Sequence, residues 1–164
     1  MSSFVDSKHQ KLNQEEIFGI AAKETGGKYT PEQIKASIAL EVSQLHALCM
    51  QEGNTIFVVH PTPVDKTIGV FRALNADTMP NYLKNSLVFT KAMGLAGFRH
   101  LVTKFEEPSL LNIFKYVKRN QPFPNMGYAV KKTKDGQYQV TVNLGDAKTG
   151  GLPDKAQPQE QGAL

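Results

Sequence analysis

Residues 67–105 read TIGVFRALNADTMPNYLKNSLVFTKAMGLAGFRHLVTKF, and their reading decides the fold. The first ten are rich in Ile, Val and Phe, a composition that suits a pleated strand. Thr78 or Met79 then precedes Pro80, which fits the first turn of a helix, and Gly97 supplies its stop. Between them Leu83, Leu87, Thr90 and Met93 mark one face, backed by Phe89. RHLVTKF returns to a strand pattern. The stretch is therefore one β-α-β passage.

Upstream, TIFVVHP is a second β-rich run, joined to TIGVFRALNA by the short polar link TPVDK. An antiparallel hairpin is expected, with His60 and Arg72 on a face or edge. TPEQIKASIALEVSQLHALCMQEGN, ahead of it, reads as one long helix over 31–52. Thr30 is its N-cap, Pro31 its first residue and Gln33 the partner in a capping box. Ile34, Ile38, Leu45 and Leu48 form a stripe that Leu40 and Val42 widen, and Gly53 ends it. A first helix is expected over 13–24, with Ile17, Phe18 and Ala21 on one side. Residues 1–12 read as a loose leader.

Downstream, PSLLNIFKYVKRN predicts a helix over 109–119 with Leu111, Phe114 and Val117 on one face. It also carries Tyr116 and a basic end. GYAVKKTKDGQYQVTVNL predicts two alternating strands around Asp135-Gly136. The last twenty residues, rich in Gly, Pro, Gln and Ala, have little to bury and read as a flexible tail over 145–164. The expectation is one α/β (α+β) domain over 1–144. It holds a mixed, mostly antiparallel sheet, helices on both faces and two helices at the N-terminal end.

Composition narrows the function. With 40% apolar and 21% charged residues, the 164-residue chain can bury a single core. No apolar run is long enough to span a bilayer, and the first residues lack a signal-peptide pattern, so a cytoplasmic location is expected. The lone Cys49 forms no internal disulfide and reads as a small buried hydrophobe, with His46 three residues before it. His9, His46, His60 and His100 share no metal-ligand spacing. Residues 99–134 hold eight Lys and Arg against Glu106 and Glu107. That surplus suits phosphates, an acidic protein or nucleic acid, or only a solvated face.

The order of elements resembles the GNAT family of N-acetyltransferases, from about residue 55 to 144. SLVFTKAMGLAGFRHLVTKF resembles the family's helix and strand, and MGYAVKKTKDGQYQVTVNL its terminal hairpin. SLLNIFKYVKRN resembles its next helix, with Ser109 at the usual Asn, Asn112 at the usual Ala and Tyr116 at the usual Tyr. The resemblance implies acetyl transfer from acetyl-CoA to an amine, with Tyr116 as acid to the departing thiolate. It also implies a pyrophosphate site at a helix N-terminus, where Thr78, Asn81 and Lys84 are the available donors. The family's Arg/Gln-x-x-Gly-x-Gly/Ala loop is not kept. NADTMPNYLKN contains no glycine, and Asp77 brings a negative charge. A base would be Glu106, His60 or His100.

The compact size and the closing hairpin are also similar to small GNAT-like proteins of tailed bacteriophages. That likeness implies an inactive scaffold in a virion or assembly, located in the virion or the host cytoplasm. Met79, Tyr82 or Phe89 would then fill the cofactor cleft, and a protein or nucleic-acid partner would bind the surface formed by helix 31–52 and the basic C-terminal half. Direct nucleic-acid binding is the third and weakest expectation.

Overall fold

The computed structural model describes residues 11–145. The expected tail beyond Gly145 and most of the expected leader fall outside them. In chain order the elements are α1 (Gln14–Glu24), α2 (Pro31–Gln44), β1 (Leu48–Glu52), β2 (Thr55–Pro61), β3 (Ile68–Asn75) and α3 (Met79–Ala96). Then come β4 (His100–Phe105), a single 3-10 turn (Pro108–Leu110), α4 (Leu111–Asn120), β5 (Gly127–Lys132) and β6 (Tyr138–Asn143).

The strands form one sheet in the order β1-β2-β3-β4-β6-β5. Every neighbouring pair is antiparallel except β3 with β4, the pair that the α3 crossover joins. This is the mixed, mostly antiparallel sheet expected from the sequence. Its two faces carry separate cores. Phe57, Phe89, Met93, Leu101, Phe114, Val117 and Val140 pack together beneath α3 and α4. Ile17, Phe18, Ile38, Ile56 and Val58 pack on the opposite face beneath α1 and α2. Alternation along β2 feeds both, because Phe57 and Val59 point one way and Ile56 and Val58 the other. Each fully buried Phe or Ile contributes on the order of 1.5–3 kcal/mol.

Caps fix the helix starts. Asn13 and Glu16 form a reciprocal capping box on α1, as do Thr30 and Gln33 on α2, with Pro31 opening the helix. Gly97 ends α3 at φ 113°, a left-handed conformation that costs a glycine little.

The expected helix over 31–52 is corrected. α2 stops at Gln44, His46 takes φ 59°, and residues 48–52 become β1, an edge strand paired with β2. Gly53, expected as a helix stop, instead makes a two-residue hairpin turn with Asn54. The stripe is therefore not a core stripe along its length. Ile38 is buried, whereas Leu40, Val42, Leu45 and Leu48 stand 43–58% exposed. Cys49 is exposed on the edge strand, contrary to the buried position expected. No helix among the described residues is long and apolar enough to cross a membrane.

Candidate functional site in the wedge between β3 and β4

β3 and β4 share only three residue pairs, Ile68 with His100, Gly69 with Leu101 and Val70 with Val102. Beyond them β3 runs on to Asn75 and β4 to Phe105, each held by its other neighbour. The two strands part like a V. Gly69 stands at its root because a Cβ there would lie 2.7 Å from Val59 and 2.9 Å from the Phe98 ring. Phe98 closes the root from the α3 side.

The V is largely filled. Phe57 stacks on Phe89 with ring centres 4.2 Å apart, and Phe71 leans on Phe89 at 5.1 Å. On the far side Phe105 stacks on Phe114 at 5.9 Å. Between these rings a cavity of about 140 Å³ remains, lined by α3 through Tyr82, Ser86, Phe89 and Thr90 and by α4 through Ile113, Phe114 and Val117. Burial pushes the Tyr82 hydroxyl up to about 12, with a smaller contribution from the Glu24 charge. Arg72 and Lys104 are the cations on its lining.

Thr78 is the exposed N-cap of α3 and makes no side-chain cap bond; its carbonyl accepts from the Tyr82 N–H at 2.8 Å. Asn81 and Lys84 lie on another side of α3. They line a polar hollow of about 420 Å³ with Lys11, Gly53, Asn54, Asp77 and Asn85. Asp77, in the loop before α3, accepts from the Asn54 N–H at 2.8 Å, the Asn54 amide at 3.1 Å and the Asn85 amide at 2.7 Å. The loop is thus tied to the β1–β2 turn. Tyr116 is half-buried on α4 but is not among the residues that line the cavity; its carbonyl accepts from the Asn120 amide at 2.8 Å. Glu106 is exposed after β4, and neither it nor His100 lines the cavity. The wedge residues and the expected phosphate donors are therefore not brought together.

A second cluster went unforeseen. Glu41 of α2 accepts from both Arg72 guanidinium nitrogens, at 2.7 and 2.8 Å, from Ser37 at 2.9 Å, and lies 2.6 Å from His60 Nε2. The Arg72 bonds hold its carboxyl at about 2, with His60 and Ser37 helping and burial opposing. Its sequence signal, one carboxylate facing an arginine and a histidine on two strands, becomes visible only once α2 is placed over β2 and β3. No group of three or more His, Cys, Asp or Glu suited to a metal occurs among the described residues.

No protein-family model matches the chain, and no curated protein does. Among solved structures the chain is similar to a GNAT-family acetyltransferase from Streptococcus pneumoniae, with 11% identity, a TM-score of 0.44, and coverage of 83% of this chain and 98% of that one. That likeness is loose and concerns the course of the backbone alone.

Proposed function

We propose that this chain is a binding or structural component that uses a GNAT-like sheet as a scaffold, in a larger protein assembly such as a bacteriophage virion. One observation carries the reading: the wedge is packed with aromatic rings down to about 140 Å³. Sites that enclose a cofactor-sized molecule occupy roughly 300–1,000 Å³. The exposed apolar side chains Val42 and Leu45 at the end of α2 and Leu48 on edge strand β1 are candidates for contact with a partner.

The competing reading is an N-acetyltransferase, supported by strands that part where a pantetheine arm would need them to. The residues present do not fit acetyl-CoA. The Asp77 carboxylate puts negative charge in the loop before α3 and lines, with Asn81 and Lys84, a polar hollow separate from the wedge cavity. Calorimetric titration with acetyl-CoA separates the two. The scaffold reading expects no binding heat at millimolar cofactor. Saturable binding, with acetyl transfer to an amine that Tyr116→Phe slows, would replace it by the enzyme reading.

A further inference from the structure

Among the described residues three hydroxyls on the cavity wall, those of Ser86, Thr103 and Tyr82, make no hydrogen bond, and the first two belong to buried residues. Ser86 of α3 and Thr103 of β4 are only 5% and 8% exposed. Thr90, beside them, is satisfied, because its hydroxyl donates to the Ser86 carbonyl at 2.8 Å. Buried hydroxyls are normally paired, since desolvating them without a bond is unfavourable. Two such groups from different elements, facing one small space, mark a place where a polar atom is to be received.

The rest of the wall defines what carries that atom. Phe57, Phe89, Leu101, Phe114 and Val142 give it an apolar lining, and no carboxylate or histidine lines it. Of its two cations, Arg72 is already held by Glu41, and Lys104 is exposed. The volume is close to the roughly 150 Å³ apolar cavity that accepts a benzene molecule. We infer that the wedge cavity is a binding site for a small neutral molecule with a ring-sized apolar body and one hydroxyl or carbonyl, the latter bonded by Ser86 and Thr103. The site is independent of any thioester cofactor and goes beyond the scaffold role.

Phenol and toluene are suitable probes, since they match in size and differ in the polar atom. Titrated into the full chain and followed by methyl NMR, phenol is expected to shift Leu101, Val117 and Val142 saturably at millimolar concentration. Toluene is expected to bind about tenfold more weakly or worse. Thr103→Val and Ser86→Ala should erase that preference while leaving the empty protein at least as stable. Ala73→Leu, which fills the space from β3, should abolish binding of both probes. If that variant does not fold, the methyl shifts of the unaltered chain still locate the probe. No saturable shift with phenol, equal affinity for the two probes, or shifts confined to other parts of the molecule would each overturn the proposal.

Discussion

At Glu41 a single carboxylate accepts from Arg72, Ser37 and His60, and so joins α2 to strands β2 and β3. The side chain is 13% exposed while Arg72 is 44% exposed, so solvent screens part of the attraction. The usual value for a glutamate is 4.5 and the folded chain holds this one at about 2. Because the folded value is the lower, the stabilisation is complete above pH 4.5 and fades as pH falls through about 2. Thermal melts between pH 6 and 2 should therefore show Glu41→Gln less stable near neutrality, by about 1–3 kcal/mol, with the gap closing in acid. A constant gap would assign the loss to packing. Tyr82 behaves in the opposite sense. Its hydroxyl is raised from 10.0 to about 12, so its contribution is present below pH 10 and is lost as pH climbs through 12. Tyr82→Phe should match the parent chain at neutral pH and lose less stability between pH 10 and 12. Equal alkaline losses would mean that the ring is wetter than its burial implies.

Among the elements, the boundary of α2 teaches most. Its N-terminus was legible because Thr30, Pro31 and Gln33 form a local cap whose bonds need no tertiary partner. Its C-terminus was not, because LHALCMQE keeps a helical apolar spacing while its final state depends on pairing with β2. The Gly53-Asn54 dipeptide was the available signal, since that pair between two apolar runs is a hairpin turn. Gly53 adopts φ +56°, and a Cβ there would meet the Asn85 amide at 2.8 Å and Asp77 at 2.9 Å. Gly53→Ala should strain the turn and disturb the bonds that tie it to the loop before α3. A loss on the order of 2–4 kcal/mol in denaturant unfolding is expected, more than the roughly 1 kcal/mol change of an ordinary substitution. A loss within 0.5 kcal/mol of zero would show that the turn relaxes freely. The exposed end of α2 calls for the opposite outcome. Leu40→Glu with Leu45→Glu should leave stability within about 0.5 kcal/mol, because neither side chain is part of the core. A marked destabilisation would place them under cover that the described residues do not provide.

Across the whole molecule, the β-α-β passage and the closing hairpin were readable from 67–105 and 126–144, where strand pattern, turn residues and helix caps agree. The candidate site was less so. Tyr116 is singled out by the family resemblance alone, and the cavity is reached instead by Ile113, Phe114 and Val117 of that helix. Of the three residues expected to fill the cleft, Tyr82 and Phe89 line the cavity and Met79 does not, whereas Ser86 is placed there only by the packing of α3 on the sheet, since helix periodicity does not say which flank of a face meets a gap.

The three rungs between β3 and β4 leave the sheet as two panels, β1-β2-β3 and β4-β6-β5, joined at one corner. Amides on opposite edges of β3 should then live very different lives. Those turned to β2 belong to an unbroken ladder, while those beyond Val70 that are turned to β4 have no strand across from them. In deuterated solvent, residues 71–75 should exchange in a fast-slow alternation that residues 55–59, flanked by strands on both edges, do not show.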